Sequence, residues 1–192
     1  MTTAVAGLIE RVLSFWFGAD WATGTPARRP EWFQPDPAFD AGIGRAFAGD
    51  VERAAAGDFD SLMESAHGGV ALAILLDQFP RNLFRGTARA FAADPRARTA
   101  ARHALERGLD LALPQVMRLF LYLPFEHSED LADQQRSVVL FEALGDAEWL
   151  DYAVRHRDIV ARFGRFPHRN AALGRTSTAE ELAFLKTPNS SF

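Results

Sequence analysis

The chain of 192 residues has no cysteine, one lysine and no long apolar run. Because cysteine is absent, the chain can form no disulfide, no thiolate nucleophile and no thiolate metal site, which fits a protein of the reducing cytoplasm. Its longest uncharged apolar run, residues 70–76, is far shorter than the roughly 20 residues that a membrane-spanning helix needs. Lys186 is the only lysine among 21 basic residues. Arginine thus stands at nearly every basic position of the chain, so only the position of an arginine can indicate a function.

Several signals that would place the chain in a known class are also missing. Residues 1–7 carry no basic side chain, and Glu10 and Arg11 interrupt the apolar residues that follow. We therefore expect no export signal and a cytoplasmic location. A formal net charge of −4 gives no reason to expect nucleic acid as a partner, and nothing points to a membrane. The chain has no phosphate-binding glycine-rich loop, no dinucleotide-binding fingerprint and no Gly-x-Ser-x-Gly motif, so we expect no cofactor and no metal site.

Apolar residues recur at helical spacing through most of the chain, and no alternating strand pattern of useful length occurs. Asp36-Pro37 and Asp94-Pro95 each place aspartate before proline, which is the usual order at a helix start. The predicted helices cover residues 4–17, 37–57, 62–79, 87–93, 94–108, 114–124, 128–144, 148–163 and 177–185.

This pattern predicts an all-α fold, a compact irregular array of about eight or nine antiparallel helices. The length favours a single domain over residues 1–187, with residues 188–192 as a frayed tail. No 34-residue repeat is visible, so the chain is not a regular tetratricopeptide solenoid. All four tryptophans are expected in the core or at its rim; they are Trp16, Trp21, Trp32 and Trp149.

Three segments combine an aromatic residue, a proline and a group of polar residues. They are Phe79-Pro80-Arg81-Asn82, residues 122–130 and Phe166-Pro167-His168-Arg169-Asn170. Since proline stops a helix and restricts the residue before it, each segment should end a helix in a sharp change of direction. We expect these three helix ends to gather arginine, histidine, asparagine and glutamate on one face of the molecule.

The first segment has a structural and a functional interpretation. Asp77 and Arg81 are four residues apart, but Pro80 lies between them, so we do not expect a simple ion pair within one helix. Arg81 could instead pair with a distant carboxylate. Alternatively, Arg81 and Arg85 could offer their planar guanidinium groups to a carboxylate or phosphate ligand.

The second segment concentrates acidic residues around one histidine. Ser128 is expected to cap the next helix, and Glu129 and Asp130 would lie in its first turn, where negative charge is favourable. Capping leaves Glu126 and His127 unexplained, and this pair could take part in acid–base chemistry or hold a hard metal ion. The spacing does not match the two-histidine zinc motif.

The third segment is the most basic one, with six arginines between residues 155 and 175. They could form an anion site. They could equally be the counter-charges of Asp77, Glu126, Glu129 and Asp130 in a buried ionic lattice. Asp158 and Arg162 have the spacing of an ion pair on one helix face.

These three segments, together with residues 13–18 near the start, resemble the bacterial domain-of-unknown-function 924 family. The matching motifs are residues 76–82, 122–130 and 156–170, in that order, and the resemblance continues to residues 173–178. It covers essentially the whole chain, and the loop of residues 21–35 is its least family-like part. The resemblance implies an all-helical fold related to tetratricopeptide-like arrays. It implies no established activity, cofactor or catalytic residue.

We therefore expect a cytoplasmic binding protein with a groove for a small anion or an acidic peptide end. The predicted binding residues are Arg81, Asn82, Arg85, Glu126, His127, His156, Arg165, His168, Arg169 and Asn170. One alternative is a hydrolase or lyase acting on an anionic metabolite, in which His127 or His168 is the general acid or base and Glu126 orients it. A second alternative is that the segments only hold helix ends together in a scaffold for protein partners.

Overall fold

The computed structural model describes residues 3–188 and 190–191. Within this part of the chain there are α-helices, turns and short 3₁₀ helices but no β-strand, so the predicted all-α class is confirmed. The chain divides into two compact units. Unit 1 comprises Met1–Arg85 and Arg89–Pro124, and unit 2 comprises Gly86–Ala88 and Phe125–Phe192. The expectation of a single domain over residues 1–187 stays a prediction, and residues 1 and 2 of that range lie outside the described part.

Unit 1 is built around a cluster of large aromatic side chains. Its helices are α1 (Thr3–Phe17), α2 (Pro37–Ala56), α3 (Ala66–Ala73), α4 (Phe79–Leu83), α5 (Asp94–Glu106) and most of α6 (Gln115–Glu126), with 3₁₀ helices over Pro30–Trp32, Asp60–Glu64, Ala88–Phe91 and Leu109–Ala112. Helix α2 packs against α4, and α3 packs against α1 and α5. The Trp16 ring lies 5.6 Å from that of Phe79 and 5.4 Å from that of Phe120, and all three are fully buried. All four tryptophans of the chain are buried, as predicted.

Unit 2 contains a helical hairpin followed by a loop and a short helix. Its elements are α7 (Leu131–Leu144), α8 (Ala147–Phe163), a 3₁₀ helix over Pro167–Arg169 and α9 (Ala179–Phe184). Gly145 ends α7 at a positive φ of 81°, which glycine adopts without strain, and the Asp146 side chain caps α8. Because only these two residues join α7 to α8, the two helices pack side by side in opposite directions.

Aspartate-proline pairs mark helix starts in two different ways. The Asp36 carboxylate accepts hydrogen bonds from the backbone N–H groups of Ala38 and Phe39, so the predicted cap of α2 is confirmed. At the second pair the prediction is wrong. Ala93 occupies the cap position of α5 and Asp94 is already helical, because the Asp94 carboxylate is bound to Arg81.

The chain stays helical through Pro80, so the predicted change of direction there is wrong. Residues Ile74–Gln78 form a π-helical turn between α3 and α4, in which the N–H of Phe79 donates to the carbonyl oxygen of Ile74. A proline ring normally clashes with the carbonyl four residues earlier. The wider π turn accommodates the ring and keeps Asp77 and Arg81 on one continuous helix.

Two further helix ends differ from the sequence-based prediction. Helix α6 continues past Pro124 to Glu126. Helix α7 is capped by Asp130, whose carboxylate accepts from the N–H groups of Ala132 and Asp133. Ser128, the predicted cap, instead accepts from the N–H of Asp130 and donates to the Asp133 carboxylate. By contrast, a helix predicted over residues 177–185 is present as α9, and Thr178 and Glu181 form a reciprocal capping box at its start.

Of the tail predicted over residues 188–192, residues 189 and 192 lie outside the described part. Ser190 is buried, and its hydroxyl donates to the carbonyl oxygen of Leu185 at 3.1 Å. This contact joins the described end of the chain to the residue that follows α9.

Candidate functional site

The predicted binding residues are divided between the two units. Arg81, Asn82 and Arg85 belong to unit 1, at and just after helix α4. The others belong to unit 2; they are Glu126, His127, His156, Arg165, His168, Arg169 and Asn170. Each group is therefore described within its own unit.

In unit 1, Arg81 binds two buried carboxylates. Its guanidinium group donates to both oxygens of Asp94, at 2.9 and 3.0 Å, and its Nη1 atom lies 3.0 Å from Oδ1 of Asp77. The ion pair within one helix, which Pro80 had made us doubt, therefore exists. Burial disfavours the charged guanidinium, but the nearby charges of Asp77 and Asp94 raise the pKa of Arg81 above its ordinary value. Arg81 is thus an integral part of the packing of unit 1.

Asn82 and Arg85 share a single partner, Asp40 on helix α2. The Asn82 amide donates to Oδ1 of Asp40 at 2.6 Å, and Nη2 of Arg85 donates to Oδ2 at 3.1 Å. These contacts tie the end of α4 to α2. The three predicted residues of unit 1 thus all bind carboxylates of the protein itself.

In unit 2, five of the predicted residues form one cluster, and three of them lie beside the buried ring of Phe166. We name this set the histidine cluster; its members are Glu126 and His127 at the end of α6, His156 in α8, and His168 and Arg169 in the following 3₁₀ helix. The ring of Phe166 lies 5.5 Å from that of His156 and 5.5 Å from that of His168, and the Arg169 guanidinium lies 4.5 Å from its centroid. The second and third polar segments of the sequence therefore meet here.

His156 is the central residue of the cluster. Its ring centroid is 6.2 Å from that of His127, and its Nδ1 atom lies 3.3 Å from Oε1 of Glu126. The same nitrogen is 2.8 Å from the carbonyl oxygen of Tyr152. Because a carbonyl oxygen can only accept a hydrogen bond, Nδ1 carries the proton. Within the histidine cluster, Glu126 thus lies beside His156, a residue we had not considered as a catalytic candidate.

The surroundings of His156 keep its ring neutral. Burial is the main cause that lowers the pKa of His156 well below its ordinary value, and the nearby basic groups of His127, Arg169 and His168 add to it. Only about 4% of the residue is exposed. At neutral pH His156 is therefore an uncharged residue whose Nδ1–H group is already used.

Because His156 is neutral when folded and takes up a proton when unfolded, it should make the protein less stable in acid. Below about pH 6.5 the unfolded chain gains a proton that the folded chain does not, so stability falls by up to about 1.4 kcal/mol per pH unit. His156→Asn keeps an N–H donor near Tyr152 but does not titrate. We expect this variant to lose less unfolding free energy between pH 7 and pH 5 than the wild-type protein does. Urea unfolding at several pH values measures this free energy.

The matched control for this prediction is His103→Asn, which changes a partly exposed histidine of α5. We expect that variant to retain the acid sensitivity of the wild-type protein. Equal slopes of stability against pH in His156→Asn and in the wild-type protein would contradict the assignment.

Gln134 of α7, which the sequence analysis did not single out, holds the backbone of the cluster in place. Its side-chain amide donates to the carbonyl oxygens of Glu126 at 2.5 Å and of Ser128 at 2.6 Å. The carbonyl oxygen of His127, between them, accepts from Nη1 of Arg169 at 2.9 Å. Three successive carbonyls at the end of α6 are thus bound by side chains. A fully buried glutamine is uncommon, but the sequence alone does not show which glutamines of α7 are buried.

The remaining arginines of the third segment have nearby partners. Arg175 binds both oxygens of Glu129, at 2.6 and 2.8 Å. Burial alone raises the pKa of Glu129, but the hydrogen bonds from Arg175 and from the N–H of Phe166 outweigh it and lower the pKa below its ordinary value. Of the two interpretations left open, the ionic lattice thus applies to Glu129.

Arg165 and Asn170 hold the loop between α8 and α9. Arg165 donates to both oxygens of Glu181, which, with the N–H of Thr178, lowers the pKa of Glu181 to about 2. Asn170 donates to Ser177 and accepts from Arg175. The predicted pair of Asp158 with Arg162 is not what forms: Asp158 binds Arg157, and Arg162 binds Glu180.

Two depressions on the described surface measure about 220 and 240 Å³, and no residue of the histidine cluster lines either of them. Among the described residues, no group of three histidine or carboxylate side chains could hold a metal ion. No helix within residues 3–188 has both the length and the apolar character needed to cross a membrane.

Comparison with known proteins identifies a family but no activity. The model of the family described as bacterial protein of unknown function (DUF924) matches residues 12–189. The chain is also similar to a solved structure, the protein of unknown function ATU0120 from Agrobacterium tumefaciens, with 45% identity, a TM-score of 0.86, and coverage of 95% of this chain and 98% of that one. No curated protein matches the chain. The resemblance seen in the sequence motifs is therefore confirmed, and the chain belongs to the DUF924 family of bacterial proteins of unknown function.

Proposed function

We propose that this protein binds a small anion at the histidine cluster of unit 2. The composition of the cluster supports the proposal. It contains one permanently positive side chain, that of Arg169, two partly exposed imidazoles that can become positive, those of His127 and His168, the neutral ring of His156, and one carboxylate, that of Glu126. A group with that excess of basic side chains favours a negatively charged partner.

Exposure within the cluster separates the residues that a solute can reach from those that support them. His127 and His168 are partly exposed, whereas Glu126, His156 and Arg169 are only 4–5% exposed. We therefore assign direct contact with the anion to His127 and His168. The charge of Arg169 lies in a poorly hydrated place, where it acts more strongly than it would in water.

We assign a small anion to the cluster, because none of its residues lines either of the two described depressions. A sulfate or phosphate ion, or the carboxylate end of a small molecule or peptide, can be held by two imidazole groups at a surface. A larger ligand would need a cleft to bury most of its surface. Compared with the groove expected from the sequence, the proposed site omits Arg81, Asn82 and Arg85, whose contacts are with carboxylates of unit 1.

Anion binding can be measured by NMR titration of the histidine ring protons and by calorimetry, using inorganic phosphate, sulfate, citrate and an acidic peptide. We expect saturable shifts of His127 and His168 in the wild-type protein and weakened binding in His168→Gln. A ligand at 100 times its Kd should also stabilise the folded protein by about 2.7 kcal/mol. Because sulfate and phosphate stabilise many proteins without a site, thermal shifts alone do not suffice.

The control variant is His103→Gln, which changes a histidine of unit 1 that pairs with Glu64 and should bind like the wild-type protein. If none of the four compounds shifts the histidines of unit 2, the proposal fails. The alternative in which the polar segments only join helix ends would then explain the cluster.

Acid–base catalysis is a second candidate, favoured by the contact between Glu126 and His156. A carboxylate at 3.3 Å from Nδ1 can orient a neutral imidazole as a general base. Conversion of an anionic compound in the same NMR samples, lost in His156→Asn, would support this candidate.

A further inference from the structure

We propose that the histidine cluster takes up protons together with its anion, so that binding tightens as the pH falls from 8 to 6. The inference rests on the proposed function and adds a form of regulation to the same site. It concerns His127 and His168, the two partly exposed imidazoles of the cluster.

The geometry places several basic groups within reach of one another. His127 and His168 both lie close enough to His156 to act on its charge, and Arg169 does so as well. The carbonyl oxygen of His127 accepts from Arg169, the His127 ring lies 6.2 Å from that of His156, and the Phe166 ring lies 5.5 Å from the rings of both His156 and His168. A proton added to any of these imidazoles is therefore close to another positive or basic group.

Every element that packs at this place contributes a charged or titratable group. These groups are Glu126 and His127 from α6, Glu129 from the loop after it, Asp133 from α7, His156 from α8, His168 and Arg169 from the 3₁₀ helix, and Arg175 from the final loop. Glu129 is held by Arg175, and Asp133 by the hydroxyl of Ser128, so these carboxylates already have partners. Glu126 faces His156.

A positive charge disfavours the protonation of a nearby imidazole, and a bound anion offsets this unfavourable free energy. Since Arg169 is charged at every relevant pH, protonation of His127 or His168 adds a second positive charge to the cluster. Without an anion, the positive charge of Arg169 disfavours this protonation. A bound anion favours it, so the anion and the proton each strengthen the binding of the other.

His156 does not take part in the proton uptake. Its Nδ1–H group is bound to the Tyr152 carbonyl oxygen, the residue is about 4% exposed, and its ring stays neutral. The coupled protons therefore belong to His127 and His168, and His156 serves as a fixed neutral neighbour.

Sulfate is the suitable probe because it keeps its two negative charges over the whole range from pH 8 to pH 6. Calorimetric titrations of the full chain with sulfate at constant ionic strength give Kd at each pH. Titrations in buffers of different ionisation enthalpy give the number of protons taken up. One coupled proton changes Kd by at most about tenfold per pH unit, or about 100-fold between pH 8 and pH 6, and we expect sulfate to bind about tenfold more tightly at pH 6 than at pH 8.

Two variants assign the protons, and one serves as a control. His127→Gln and His168→Gln should each reduce the proton uptake and the dependence of Kd on pH. His103→Gln in unit 1 should leave both unchanged. Circular dichroism and urea unfolding of each variant show whether the fold of the protein is preserved, which keeps the comparison meaningful.

The outcomes distinguish this inference from the proposed function. Sulfate binding with the same Kd at pH 6 and pH 8 and without proton uptake would overturn the inference and leave anion binding intact. Proton uptake that persists in the double variant of His127 and His168 would also overturn it. Absence of binding at every pH would refute both. Binding that tightens in acid and loses its pH dependence in the two variants supports both.

Discussion

Replacing Arg81 with alanine is expected to lower the free energy of unfolding by about 3–5 kcal/mol. The Arg81 side chain binds Asp94 with two hydrogen bonds and contacts the Asp77 carboxylate at 3.0 Å, and the two carboxylates are 8% and 1% exposed. Removing the cation leaves two negative charges in a poorly hydrated place, and such charges are costly. Urea unfolding followed by circular dichroism measures the loss.

Two further variants keep this prediction informative. Arg89→Ala removes an ion pair with Glu52 in which both side chains are more than 60% exposed, and it should cost no more than about 1 kcal/mol. Arg81→Lys keeps the charge but cannot make the two parallel bonds to Asp94, so we expect an intermediate loss. If Arg81→Ala is no less stable than Arg89→Ala, the Arg81 ion pairs do not stabilise unit 1. The prediction that Arg81 binds a ligand would then have to be reconsidered.

Replacing Gln134 with alanine should cost about 2–4 kcal/mol of unfolding free energy and disturb the histidine cluster. The substitution removes the donors to the carbonyl oxygens of Glu126 and Ser128, and an unsatisfied buried acceptor costs about 1–3 kcal/mol. Because these two carbonyls flank His127, the His127 ring should also lose its fixed position. Urea unfolding gives the energy, and the NMR chemical shift of the His127 ring reports the change in position.

Gln135 provides a matched control for Gln134. It is the next residue of the same helix, it has the same side chain, and it is exposed. Gln135→Ala should therefore change stability by less than about 0.5 kcal/mol. If both variants behave alike, the hydrogen bonds of Gln134 contribute little, and the end of α6 is held by the packing of α7 and by Arg169.

The two groups of polar residues differ in what they bind, and this difference decides which of them we assign to a ligand. In unit 1, Arg81, Asn82 and Arg85 bind Asp77, Asp94 and Asp40, so their hydrogen-bonding groups serve the fold. In unit 2, the cluster combines Arg169 and the two partly exposed histidines, His127 and His168, with one carboxylate and the neutral ring of His156. We therefore assign the anion to the histidine cluster and not to the polar residues of unit 1.

Local signals in the sequence predicted much of the fold. The helical spacing of apolar residues predicted the all-α class, Asp36 was correctly identified as the cap of α2, and Gly145 as the end of α7. Such signals act between residues a few positions apart, because a capping side chain reaches only the first turn of its own helix. They can therefore be read without knowing the fold.

The same local rules were wrong at three positions. Asp94 has the composition of a cap, but its carboxylate binds Arg81, 13 positions away. Ser128 has that composition too, but Asp130 caps α7 instead. Pro80 was expected to end a helix, but a π turn accommodates it within a continuous helix. At Asp94, a tertiary ion pair outweighed a capping preference of about 1 kcal/mol.

The sequence by itself determined the helical class, the family and the polar segments that supply the residues of the candidate site. Only the tertiary structure decided which of those residues meet. It placed Glu126 beside His156 and two histidines beside Phe166, and it brought Gln134 to the carbonyls on either side of His127. The physical reason is range. Periodicity and capping are set within one or two turns of a helix, whereas the partner of a buried charge or amide is set by how separate elements pack, as for Arg169 and the His127 carbonyl oxygen, which are 42 positions apart.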